Sequence, residues 1–415
     1  MDKPQILTDQ ELESLTRPFQ KSEYSKDRAL ELATAGCIAM ITEPGDRMAG
    51  ALGRCLGKLA LVELLIDGLE TGAVIEALQQ RGQLDSCRQS FGDLEGTLSD
   101  SRQRWLPRLS KSRLEHLFSQ SALLKLQLVT PEDSIWPVGL DDLHDSAPAL
   151  LFIEGELATF TKLSQAVSIV GSRVASSYGL QVTSSLVREL AQVARATVSG
   201  GALGIDAQVH RSSLGQNLPT VAVMAGGMDR KYPSANFKLF KQVADQGALL
   251  SEMPPGVAPT RWRFLQRNRL IAALTPTTVV IEAGMRSGSI RTANNALELS
   301  RELYAVPGSV LSGTSLGTNA LIADNKALAL CDLKQFATGI EREVRSELES
   351  ALAKRAKDAI RDLEQANLSQ IAKNAGLTYS EAGLAITELK RVGAIYENSG
   401  TFIISERPKS VNAFE

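Results

Sequence analysis

Residues 261–269 read RWRFLQRNR, with four arginines, a tryptophan and a phenylalanine and no acid among them. The whole chain carries a formal net charge of -2, so this cationic, planar chemistry is local and does not belong to the surface at large. Three further stretches hold groups suited to an anion. "SIVGSR" sets Gly171, Ser172 and Arg173 behind an apolar run, and "SGGALGID" does the same with Ser199, Gly200 and Gly201. "EAGMRSGSIRTANNA" places Ser287, Gly288, Ser289 and Thr292 at the opening of a helix. Glycine lets backbone approach a ligand closely, and the first amides of a helix attract phosphate. These stretches and the arginine cluster are expected to line one cleft for an anionic ligand.

Other chemistries lack their residues. There is no G-x-x-x-x-G-K-[ST] loop, no H-E-x-x-H, no G-x-S-x-G and no metal-spaced His/Cys set. "SIVGSR" is not G-x-G-x-x-G, which argues against a standard dinucleotide site. Only three histidines are present. His210 reads as structural, and Asp206 as an inward polar tie between neighbouring loops. A binding protein without cofactor or metal is expected in preference to an enzyme.

The elements that must position these groups follow from texture. At 415 residues, 43% apolar and 22% charged, the chain has room for two to four globular domains. The four cysteines are scattered and the first residues carry no apolar signal, so reduced thiols, no membrane span and a cytoplasmic location are expected. Residues 1–120 show helical spacing, as in Leu30, Ala33, Cys37, Ile38 and Ile41, and predict a small helical domain. Residues 121–166 predict a connector that packs on the next domain through Trp136. From 167 to 340, β-branched runs ("AVSIVG", "ATVSGG", "TVAVMAGG", "TTVVIEAG") alternate with helical segments, which predicts α/β architecture with a doubly wound parallel sheet. Residues 341–363 read as a charged, solvated linker helix. Residues 364–415 read as helix, turn, helix and hairpin, with a Thr378–Glu381 capping box. The presumed recognition helix "YSEAGLAITELK" carries Glu381 and Glu388 and few cations, which suits a protein contact better than a DNA groove.

The ordered set "IVGSR", "SGGALGID-x3-H", "YP" (Tyr232, Pro233), "LLSE-x-P", "F-x2-RNRLIAAL", "EAGMRSGSIRTA" and "AVPG" resembles the DNA-processing protein A (DprA/Smf) family. The resemblance is dense over residues 129–335 and loose in the flanks. It implies an extended Rossmann-like core, a sterile-alpha-motif-like helical domain before it and a winged helix after it. It also implies single-stranded DNA as ligand, protection of incoming DNA during natural transformation, loading of RecA recombinase and dimerisation through the core. On that reading Arg173, Arg261, Arg267 and Arg269 supply phosphate contacts and Phe264 or Trp262 a stacking face, with Asn268 beside them. The opposing reading has some of these arginines paired with acids such as Glu282 or Glu252 and Phe264 in the core, with Arg269, directly before the apolar "LIAAL", the member most expected to be structural. Where the family reads "SG-x-A-R-G-ID", Leu203 replaces the arginine. The rival reading, a nucleoside-monophosphate hydrolase on a related fold, needs a "PGG-x-GT-x2-E" loop that this chain does not have.

Overall fold

The computed structural model of the chain describes residues 7–20, 23–346, 351–391, 394–398 and 400–404. These fall into two compact units, Met1–Lys334 and Gln335–Glu415.

The first unit is built on a nine-stranded sheet. Its strands are β1 (Gln127–Val129), β2 (Leu151–Gly155), β3 (Val167–Val170), β4 (Thr197–Ser199) and β5 (Thr220–Val223), followed by β6 (Ala248–Ser251), β7 (Thr277–Val280), β8 (Glu302–Ala305) and β9 (Leu328–Ala329). Their order is β1-β2-β6-β5-β4-β3-β7-β8-β9. Every residue of β3 to β7 is buried, as expected for strands covered on both faces by crossover helices. β3 through β9 run parallel, and the connector adds β1 and β2 antiparallel at the β6 edge. Successive strands step outward from β3 to β6, and the chain then returns to place β7 on the other side of β3. That reversal opens a crevice above the carboxyl ends of β3 and β7, the usual ligand position in such sheets. The architecture is an extended Rossmann-like α/β fold.

Ahead of the sheet lie α1 (Asp9–Thr16), α2 (Lys26–Ile41), α3 (Arg47–Leu56) and α4 (Lys58–Ile66), then α5 (Thr71–Gln80), α6 (Leu84–Phe91), α7 (Leu94–Trp105) and α8 (Lys111–Leu123). The helical region is as expected, but it has no core of its own. Leu32, Leu52 and Leu98 belong to the same buried apolar cluster as Phe152, Ala222 and Phe240 of the sheet layer. The cause lies in α2, where an unbroken run from Leu32 to Ala39 is buried. A helix apolar on most sides needs cover on most sides.

The sheet's own helices are α9 (Ser177–Gln192), α10 (Ile205–Gly215), α11 (Phe237–Gln246), α12 (Arg261–Ala273), α13 (Gly288–Glu298) and α14 (Leu316–Ala323). α15 (Leu333–Ser346) begins at the unit boundary. The second unit holds α16 (Ala351–Asp362), α17 (Leu368–Ala375), α18 (Tyr379–Arg391) and a hairpin of β10 (Ile395–Asn398) and β11 (Thr401–Ile404). The linker expected over 341–363 lies in part outside the described residues. Its second half is not solvated all round, because Ala353, Ala356 and Ile360 form a stripe buried with Ile371, Ala385 and Leu389. The Thr378–Glu381 capping box is present. No helix among the described residues is long and apolar enough to cross a membrane.

Candidate functional site

The crevice above β3 and β7 is a cleft of about 360 Å³. Its walls come from four loops or helix starts. Gly171, Ser172, Arg173 and Val174 follow β3, and Ala202 and Asp206 follow β4. Ser287, Gly288, Ser289 and Thr292 open α13, while Phe264, Arg267 and Asn268 come from α12. Gly204, at φ +76, lies so close to Ser172 and Arg173 that an added Cβ would overlap both carbonyl oxygens. Ile205 N–H donates to the Ser172 carbonyl at 3.1 Å. The loop from β4 thus pins the loop from β3. Ser289 Oγ donates to the Gly171 carbonyl at 2.8 Å, and Asn268 Nδ2 donates to the Gly288 carbonyl at 3.2 Å, which ties α13 and α12 to the same rim.

α12 explains the arginine cluster. Its first two residues are exposed, the next four are partly buried and its last seven are buried, so it enters the protein end-on and does not lie flat with one apolar stripe. Thr260 caps it by accepting from Arg263 N–H. Arg261 and Trp262 stay at the solvent. Arg263 reaches back to the helical region and pairs with both oxygens of Glu43, at 3.0 and 2.9 Å. Arg269 is clamped on Glu252 through two contacts of 2.7 and 2.6 Å and donates to the Ser146 carbonyl at 2.8 Å.

Arg267 sits on the floor of the cleft, 4% exposed. Its Nη1 donates to the carbonyls of Gly200 (2.6 Å) and Val223, and its Nε has no partner. Burial pushes this guanidinium down to about 10, with the Asp206 carboxylate opposing that shift, so it stays charged at neutral pH. Burial also raises the Asp206 carboxyl, against the pull of Arg267. A Cβ on Gly200 would lie 2.6 Å from Arg267 Nη2 and 2.7 Å from Asp206 Oδ2. Only glycine at 200 leaves room for this pair.

Above it, the half-buried Phe264 ring has Arg173 at 5.5 Å and Arg267 at 5.9 Å from its centroid, a cation–π arrangement. Tyr232 packs edge-on against the same ring at 5.5 Å. A ring flanked by guanidinium groups beside helix-terminal amides can hold a phosphate and a planar base at one place.

The expected carboxylates and imidazole have other tasks. Glu282 is buried and accepts from the Ser176 N–H at 3.0 Å and from its hydroxyl, holding the start of α9. His210 is fully buried against Thr220 Oγ1 at 2.8 Å, and burial lowers it to about 3, so it is neutral and shielded. The polar tie expected of Asp206 is present, since Ala202 N–H donates to it at 3.4 Å.

A family model described as DNA recombination-mediator protein A matches residues 127–341, just over half of the chain. The chain belongs to this family. A Mycobacterium tuberculosis protein that bears the DprA name is 42% identical over 206 residues, 47% of this chain and 53% of its own length. The chain thus spans about half the length of that relative. DNA processing protein DprA of Streptococcus pneumoniae is 38% identical over 198 residues, 47% of this chain and 68% of its own. The X-ray structure of DprA from Streptococcus pneumoniae superposes with a TM-score of 0.56 at 27% identity, covering 76% of this chain and 98% of that one.

The recombination-mediator match contains the whole cleft. Of the residues singled out in the sequence, Gly171, Ser172, Arg173, Phe264, Arg267, Asn268, Ser287, Gly288 and Ser289 meet there. Ser199 does not, because its hydroxyl turns into the sheet and donates to the Ile169 carbonyl at 2.7 Å. Gly201 faces Phe240, where a Cβ would lie 2.7 Å away, and its carbonyl accepts from Asn236. Gly200 acts from behind the wall by accommodating Arg267. Arg269 is spent on Glu252, and Arg261 stands outside the cleft lining. Leu203, at the position of the family's arginine, is 45% exposed on the β4–α10 loop. Tyr232 was legible only as half of a "YP" pair, since nothing local signals that it packs against a ring 32 positions later.

Proposed function

We propose that the chain is a single-stranded-DNA-binding recombination mediator that protects incoming strands in natural transformation and helps load RecA recombinase on them. It acts in the cytoplasm as a dimer through its Rossmann-like core. The observation that carries the reading is Phe264 set between Arg173 and Arg267 at the switch point, beside the amides that open α13. Duplex bases are stacked on one another, so a ring of this kind serves bases of a single strand. Membership of the recombination-mediator family supports the same conclusion.

The cleft supports binding over turnover. The sole carboxylate among its lining residues is Asp206, buried against Arg267, and no histidine or cysteine lines it. Fluorescence anisotropy with a single strand, a duplex of equal length and nucleoside monophosphates tests the reading. The single strand binds well above the duplex. Equal affinity for the two forms at moderate salt, or steady hydrolysis of the monophosphates, overturns it.

A further inference from the structure

On α11, next to the cleft, a phenylalanine lies on the outside of the protein. Phe237 is 60% exposed at the first position of the helix, whose Leu239, Phe240 and Val243 make the buried face. Lys238 and Lys241 are exposed, and with Phe237 they take positions i, i+1 and i+4 on the outward side. Neighbouring cations are committed: Lys231 pairs with Glu154 at 2.7 Å and Arg230 lies 3.5 Å from Asp229. Neither Lys238 nor Lys241 has an acid at ion-pair distance among the described residues.

This outward face is joined to the cleft by one tethered turn. Tyr232, 51% exposed, touches the Phe264 ring, and the chain runs from it through a short turn, Ser234–Asn236, into α11. Asn236 is buried and anchors that turn, donating through Nδ2 to the carbonyls of Gly201 (3.0 Å) and Ala202 (3.2 Å). Ala202 is itself part of the cleft wall. The cleft, Tyr232 and Phe237 are therefore linked by a turn fixed to the wall.

We propose that α11 carries a second subsite for the same strand, in which Phe237 stacks on a base beyond the cleft and Lys238 and Lys241 take the phosphates on either side. The ligand class is single-stranded nucleic acid long enough to leave the cleft. The inference rests on the reading of the cleft above and extends it. An exposed ring with two unpaired cations on one face matches the combination that non-specific strand binding uses, a stacking platform beside a charged track. A duplex offers no free base face to Phe237.

The test is anisotropy on the full chain with oligothymidylates of two lengths, about 4 and about 16 nucleotides, spanning the range of sites on comparable strand-binding folds. Phe237→Ala should weaken the long oligomer about tenfold or more and leave the short one unchanged, the size expected for one lost base stack. Lys238→Ala with Lys241→Ala should flatten the log affinity against log salt of the long oligomer by about 1.4, at about 0.7 per phosphate contact. Phe237→Trp should keep the affinity that Phe237→Ala loses. If both oligomers bind and the α11 variants match the parent on both, the second subsite is refuted while the cleft stands. Equal losses on both lengths also refute it, because the residues would then belong to the cleft. If the parent chain binds neither oligomer, the reading of the cleft fails and takes this one with it.

Discussion

Arg261 and Arg269 stand about two turns apart on α12, the first at the solvent and the second, with both arms on Glu252, inside the protein. Between them Arg267 fills a middle position, buried yet on the floor of the cleft. The same side chain therefore serves as a free surface cation, a site cation and an internal tie along one helix. What separates these roles is depth. A buried guanidinium must be matched by carbonyls or a carboxylate or it is expelled. Arg269 is matched with both arms on Glu252, whereas Arg267 is hydrogen-bonded through Nη1 alone among the described residues and still lines the cleft.

Variants that exchange depth for charge probe this comparison. The largest effect is expected at the deep end. Arg269→Ala leaves Glu252 buried without its partner and should lower stability by about 3–5 kcal/mol, seen as a drop in denaturation midpoint. A stable Arg269→Ala protein with weakened DNA affinity would reverse the assignment and return this residue to the interface. Phe264→Ala comes next. The ring is half-buried at the rim, so a loss of about 1–3 kcal/mol in single-strand affinity is expected with a nearly unchanged salt slope. A collapse of melting temperature in place of lost affinity would make Phe264 a core residue.

Arg173, exposed above the same ring, should act through charge alone. Arg173→Ala is expected to flatten the salt dependence by about 0.7 without changing stability, and an unchanged slope removes it from the phosphate contacts. The smallest effect is expected from the C-terminal unit. There Glu381 caps α18 and Lys390 lies 5.0 Å from the Phe402 ring, so charge and ring are committed within the unit. A chain that ends before α16 should bind single strands as the full chain does. Loss of most of the affinity in a folded truncation would move part of the DNA site into the second unit.

Much of this was legible in the residues. The β-branched runs of β3 to β7 announced buried parallel strands, and the Gly/Ser stretches after β3 and β7 fell where the cleft forms. Asp206 and His210 took the structural roles their types and surroundings suggested. Arg269 took the structural role expected of the residue before the apolar run. Ser199 and Gly201 lie beside cleft residues in the chain, and only the direction in which the backbone turns each position separates them from their neighbours. A strand alternates its faces, so Ser199 turns to the Ile169 carbonyl while the residues after it reach the rim. The helical region misled in another way, because its apolar periodicity shows that a helix has a buried face but not which neighbour buries it.

The sequence by itself determined the alternation of strand and helix, the glycines at the strand ends, the Thr378–Glu381 capping box and a family motif order that names the cleft. Those depend on local geometry and on periodicity, which a linear chain carries in full. Only the tertiary structure decided which of the arginines in RWRFLQRNR lines the cleft. That choice turns on Glu43 and Glu252 and on the carbonyls of Gly200 and Val223, partners that the fold brings to α12 from 17 to 220 positions away. Desolvation then separates the roles, since Arg269 out of water is held by both arms on Glu252, while Arg267 is held through Nη1 alone among the described residues and keeps its place in the cleft lining.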